Sequence, residues 1–167
     1  MARYKRKKSE GKIAHKKTTI DGITFDSKME SDFYVYLKAE QKAKRIKSFE
    51  MQPEFVLQER FIIVDGVSIP DSHKDFDKLK RKYKAPIHRA IKYIADFLVV
   101  YADGSIKVID VKGIKTADFK IKEKMFNFKY PEYNFECVIW DGPSKAWLEY
   151  SEYEKAKKAR KKIKTKK

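Results

Sequence analysis

The 167-residue sequence predicts an α/β fold, a mixed central sheet flanked by helices. Two β-branched, apolar runs, Tyr93–Tyr101 and Ser105–Gly113, are joined by Ala102-Asp103-Gly104, whose Asp-Gly is a hairpin signal. Upstream, Met29, Phe33, Tyr36/Leu37 and Ala43 recur at helical spacing after Ser27. From Ser27 onward the order is helix, strands, strand hairpin, helix, strand, which suits a sheet with a helix on each face.

Taken in order, residues 1–17 read as a basic, flexible tail preceding a domain over 18–150. Asp21-Gly22 turns a small hairpin within 18–25. The first helix runs from Ser27 to about Arg45. Short strands follow at 47–51 and 54–57, separated by Gln52-Pro53, and Phe61–Val64 leads into Asp65-Gly66. Residues 65–88, polar and bounded by Pro70 and Pro86, read as an inserted loop with a helical turn near 75–82. The acid-bearing hairpin spans 89–101 and 105–113. Thr116 caps a helix that Tyr130-Pro131 stops near Lys129. A strand over 134–141 ends at Asp141-Gly142-Pro143, and a last helix from Ser151 dissolves into a basic tail, 151–167.

The net charge of +16 is unevenly placed. Residues 1–17 hold eight Lys/Arg against one Glu, and residues 151–167 nine against two Glu. A near-neutral body between polycationic ends suggests a polyanion, and nucleic acid suits it better than a membrane surface, because neither end has the aromatic face of an interfacial helix. Arg3, Lys5, Arg6, Lys157, Arg160 and Lys161 are the expected tail contacts to DNA. No apolar stretch approaches the ~20 residues of a membrane span, and the basic start is followed by no apolar core of a signal peptide. The one cysteine, Cys137, excludes a disulfide framework and points to a reducing, cytoplasmic setting.

Asp110-Val111-Lys112 is the most informative triplet. Asp/Glu-x-Lys also occurs at Glu10, Asp26, Glu40 and Asp118, as a highly charged chain allows. Only the copy at Asp110 lies inside a β-branched strand beside a second acid-bearing strand. Residues two apart on a strand share a face, so Asp110 and Lys112 point together, with Asp96 on the partner strand. Carboxylates among apolar strands are costly without a cation. The set suits Mg²⁺, with Mn²⁺ as a substitute, held by Asp96, Asp110 and the Val111 carbonyl, while Lys112 assists attack on a phosphodiester. Two roles compete for Glu30. It borders the core stripe of the first helix and is a third acid for the metal, direct or through water; Ser27-x-x-Glu30 is equally a capping box. Glu123, among lysines, reads as solvated. Gln52, Lys115, Thr116, Lys120 and Lys122 are candidate contacts to the DNA backbone, Thr116 through a helix N-terminus. Scattered His15, His73 and His88 give no zinc spacing, and there is no Gly-rich phosphate loop.

The segments 18–30, Gln52-Pro53, 91–97 and Asp110-Val111-Lys112-Gly113-x-Lys115-Thr116 together resemble a family of small phage and prophage proteins of the PD-(D/E)XK nuclease superfamily. The likeness covers roughly 18–141. It implies a restriction-endonuclease-like core, with Glu30, Asp96, Asp110 and Lys112 as the catalytic set. Ala95 stands where the superfamily signature has Pro, and Asp110 is Asp rather than Glu. The expected activity is metal-dependent cleavage of branched DNA, such as a four-way Holliday junction, by a homodimer in a bacterial host's cytoplasm. The alternatives are an end-processing or non-specific nuclease of the same fold, and a DNA-binding protein that does not cut.

Overall fold

The computed structural model describes residues 17–164, so Arg3, Lys5 and Arg6 of the expected N-terminal tail lie outside the described residues. Strands β1 (Thr18–Ile20) and β2 (Ile23–Phe25) form a hairpin closed by Asp21 and Gly22. Both turn residues are left-handed, at φ 54° and 77°, as the tightest hairpin turns require. Ser27 caps helix α1 (Lys28–Lys42), which buries Phe33, Tyr34 and Leu37. The helix ends before the expected Arg45 because Lys44 turns left-handed, at φ 60°, and Arg45 folds back onto Glu40.

Strands β3 (Ile46–Met51) and β4 (Glu54–Gln58) are separated by Gln52-Pro53. Next come the hairpin β5 (Phe61–Val64) and β6 (Val67–Pro70), then helix α2 (Phe76–Tyr83). The stretch 65–88 is therefore not a loop. Ile62, Val64, Phe76 and Ala85 bury one another in a core of their own. Its strand β6 was illegible because it holds only four residues and closes on Pro70.

The expected strand 89–101 is two strands, β7 (Ile91–Ile94) and β8 (Phe97–Tyr101), which join different sheets. β7 pairs with β4 as a separate two-stranded ribbon, while β8 pairs with β3. The break follows from proline. Pro53 has no N–H for the ladder. The pairing is bridged instead by the Gln52 amide to the Asp96 carbonyl at 3.0 Å and the Ala95 amide to the Pro53 carbonyl at 3.1 Å. Both strands bend at that level.

β8 turns through Asp103-Gly104 into β9 (Ile106–Val111). Helix α3 (Ala117–Lys129) crosses over to β10 (Asn134–Asp141), parallel to β9, and β11 (Ala146–Glu149) forms the far edge. The main sheet runs β11-β10-β9-β8-β3 and is mixed, flanked by helices as expected. Its faces carry different cores: Phe97, Val99, Ile109 and Val111 meet α1, whereas Ala95, Val108 and Cys137 meet Phe119 and Phe126 of α3. Helix α4 (Tyr150–Lys164) packs on β10 and β11; the helix expected from Ser151 is present, runs on to Lys164 and is docked on the sheet. No described helix is long and apolar enough to cross a membrane.

Candidate active site

The pairing of β8 with β9 sets Phe97 opposite Ile109, so one step further Asp96 lies level with Asp110. Asp110 points to the α3 face and is 1% exposed, one of the three buried polar side chains among the described residues. A buried carboxylate must be compensated. The Tyr93 hydroxyl donates to Asp110 Oδ2. Lys112 Nζ stands 2.9 Å from Oδ1, an ionic contact that is not directed along a hydrogen bond. Asp110 Oδ1 is thus buried and without a directed hydrogen bond, with the Lys112 ammonium as its charged neighbour. Asp96 Oδ2 accepts the Val111 amide at 2.7 Å, clamping the two strands together.

Charge crowding is visible in the acidities. Burial first, then the neighbouring Asp110 charge, pushes Asp96 up to about 7, although the Val111 amide and Lys112 oppose the rise. The Tyr93 phenol is pushed far above its ordinary value by burial and the Asp110 charge, so it stays a donor. Burial works against the Lys112 ammonium, but Asp110, Asp96 and Glu30 outweigh it and the net shift is upward. Cys137, in register with Asp110 on β10, is pushed up to about 12 by burial and is inert as a nucleophile.

Glu30 enters from α1. Gly113 lets the first turn of that helix approach the end of β9, where a Cβ would come 3.3 Å from Met29 Cε. The Glu30 charge is felt by Asp96 and Lys112. Its carboxylate, however, takes the Ser27 hydroxyl proton at 2.8 Å, while Ser27 Oγ accepts the Glu30 amide at 3.2 Å. Among the described residues no three His, Cys, Asp or Glu side chains are gathered into a metal-binding cluster. Two acids and an ammonium converge; the third acid is held by the Ser27 hydroxyl. Val111 ends β9, its amide committed to Asp96.

A cleft of about 500 Å³ opens between the site and α3, lined by Lys92, Tyr93, Asp110, Lys112, Thr116 and Lys122 among others. Thr116 caps α3 by accepting the Phe119 amide at 3.2 Å, which places the start of the helix at the cleft. Lys120 is exposed and Lys122 pairs with Asp118 at 3.1 Å. Gln52 is exposed, at φ 53° in the break beside Asp96. Three expectations are corrected. Lys115 is committed to the protein, bound to Glu123 at 2.7 Å and lying over the Phe119 and Tyr150 rings, so Glu123 is half-buried and paired, not simply solvated among lysines. Arg160 is not a tail contact: its guanidinium holds the fully buried Asp141 through bonds of 2.7 and 2.6 Å. That fork, followed by the Ser144 bonds, holds the Asp141 carboxyl well below the usual range. Lys157 and Lys161 lie on the exposed part of α4, where a groove with Trp140 and Tyr153 runs beside them.

Sequence reasoning passed over Tyr93 and the Asp141–Arg160 pair. Tyr93 read as one more apolar strand residue, although a buried tyrosine needs a partner for its hydroxyl. Nothing local joins Asp141 to a residue 19 positions on.

These residues define an α/β domain in which a buried carboxylate and a half-buried one stand beside a lysine. The chain belongs to the family described as "Protein of unknown function (DUF1064)", which matches residues 10–146 and so contains Glu30, Tyr93, Asp96, Asp110 and Lys112. No curated protein matches the chain, and no solved structure does.

Proposed function

We propose that this protein is a divalent-cation-dependent DNA endonuclease with a restriction-endonuclease-like core of the PD-(D/E)XK type, cutting branched DNA such as a four-way junction. The observation that carries the proposal is Asp110 Oδ1: a buried carboxylate oxygen with no directed hydrogen bond, beside a second carboxylate that burial and then the Asp110 charge push up to about 7. One ammonium, Lys112, stands against two neighbouring carboxylates, so the pair can take a further positive charge. The donors are hard oxygens, which suits Mg²⁺ or Mn²⁺, and Asp96 with Asp110 would hold the ion while Glu30 contributes once it leaves Ser27. Bound there, the ion supplies charge neutralisation and a more acidic water.

The chain's own groups do the rest. Tyr93 fixes the Asp110 carboxylate through Oδ2 and leaves Oδ1 for the ion. Lys112, kept protonated by its acidic neighbours, offers its charge to the oxygens of a phosphoryl group in the cleft. The N-terminus of α3 and Lys122 line the same cleft and favour a phosphate backbone there, with exposed Lys120 a turn along the helix. Resolving a junction takes two symmetric nicks, hence a homodimer.

The second reading, a DNA-binding protein without cleavage, is favoured by the absence of a three-acid cluster among the described residues. Four-way junction, forked and linear duplex DNA, each incubated with and without Mg²⁺ or Mn²⁺, separate the two. Metal-dependent nicking of the junction, lost in Asp110→Ala while binding persists, supports the nuclease. Cutting of linear duplex equally well indicates an end-processing or non-specific enzyme. Binding with no cutting in either metal rejects catalysis.

A further inference from the structure

The unit between β4 and β7 carries a cluster of lysines and arginines on its surface. In the inserted unit, Lys74, Lys78, Lys80, Lys82, Lys84 and Arg89 form no ion pair within the described residues. Five of the six are exposed. They stand on a rigid support, because α2 and the β5–β6 hairpin share a dry core and the bridge between Phe61 and His88 closes the base of the unit. Tyr83, 42% exposed, lies among them with the Lys82 ammonium 5.0 Å from its ring centre. Uncompensated charge on an ordered surface repels itself and is retained at a cost.

The unit is also coupled to the site. The ribbon β4–β7 begins at Pro53 and Ala95, beside Asp96, and its other end carries the unit. A five-residue strand covers about 17 Å. That is half of the ~34 Å helical repeat of duplex DNA.

We infer that residues 59–90 form a second DNA platform, in which Lys78, Lys80, Lys82, Lys84 and Arg89 grip the phosphate backbone of a duplex arm about half a helical turn from the bond in the active site. This deepens the nuclease proposal and rests on it for the identity of the partner. The unit reads backbone charge and not sequence, since lysines on phosphates carry no base information.

The test is a binding titration by fluorescence anisotropy with labelled four-way junctions, in Mg²⁺, using full-length Asp110→Ala to prevent cutting. The same protein is compared with and without Lys78→Gln, Lys80→Gln, Lys82→Gln and Lys84→Gln. Circular dichroism melts establish that the four changes leave the fold intact, as expected for side chains outside the core. On arms of about 20 base pairs the quadruple change lowers affinity on the order of ten-fold or more, and the salt slope falls by about 0.9 for each phosphate that is no longer neutralised. On arms shortened to about 5 base pairs, half a turn, the change has no effect. Equal affinity and slope on long arms overturn the platform while leaving the nuclease proposal standing. If the protein without the four changes binds no DNA, both fall together.

Discussion

The Tyr93 hydroxyl donates to Asp110 Oδ2 from within an aromatic cluster, while Lys112 stands 2.9 Å from the other oxygen. Asp110 is therefore held on one side by a neutral donor that cannot ionise and on the other by a cation that can be displaced. Tyr93→Phe keeps the ring packing and removes only the donor. The expected result is a loss of about 1–3 kcal/mol in stability, from a buried acceptor left bare. Cleavage falls along with metal affinity, and saturating Mn²⁺ recovers part of the rate. Denaturation curves and metal titrations of activity measure both; an unchanged metal dependence would remove Tyr93 from the site.

Asp96 makes stability depend on pH in a definite direction. Its carboxyl is raised from 3.8 to about 7, so the folded protein holds that proton more tightly than the unfolded chain. Its contribution is fully present below pH 3.8 and is lost as pH rises to about 7, at up to about 1.4 kcal/mol per pH unit. Urea denaturation in EDTA at pH 5 and pH 8 should show wild type losing more stability than Asp96→Asn across that interval. Mg²⁺ restores stability to wild type at pH 8 by binding the folded state, and not to the variant.

Lys112→Ala leaves Asp110 buried beside Asp96 without a neighbouring cation. Such a break in a buried pair costs about 3–5 kcal/mol. The double variant Lys112→Ala with Asp110→Asn recovers much of that stability in thermal melts and none of the cleavage. Recovery of cleavage would contradict a catalytic part for either residue.

The two roles of Glu30 separate cleanly by substitution. Glu30→Gln retains a side chain that serves at this position of a capping box but removes the charge. Ser27→Ala removes the cap, at a cost of about 1 kcal/mol. A metal role predicts that Glu30→Gln abolishes cleavage at nearly unchanged stability while Ser27→Ala still cuts. The reverse pattern leaves Glu30 a cap alone.

Arg160 is expected to govern the docking of α4. Arg160→Ala leaves Asp141 buried with only Ser144 to satisfy it, and hydrogen exchange of the α4 amides rises towards that of a free peptide. Arg160→Lys rescues poorly, because a single ammonium cannot reproduce the two-pronged bond.

The sequence announced much of the fold where side-chain patterning is local. The turns at Asp21-Gly22 and Asp103-Gly104, the Ser27 and Thr116 caps and the 134–141 strand all rest on residues within a few positions of one another. What escaped depended on distant partners. The division of 89–101 into β7 and β8 is imposed from across the ribbon by Pro53. The inserted unit needed Phe76 and Ala85 to meet Ile62 before its short strands had a reason to exist. At the site, Asp96, Asp110 and Lys112 were legible because strand alternation places them together. Tyr93 was not, since its sheet partner is β4 while its hydroxyl reaches β9. Lys115 and Arg160 looked like free cations for the same reason: their acids, Glu123 and Asp141, lie a turn or more away along the chain.

The paired interruptions at Gln52-Pro53 and Ala95-Asp96 have a mechanical consequence. The regular ladder lapses where the β4–β7 ribbon meets the five-stranded sheet, and Asp96 stands at that junction. The ribbon is tied to the site twice over, by the Tyr93 hydroxyl on Asp110 and by Asp96 on the Val111 amide. Ribbon and carboxylates therefore share one set of bonds, and a disturbance of either is felt by the other.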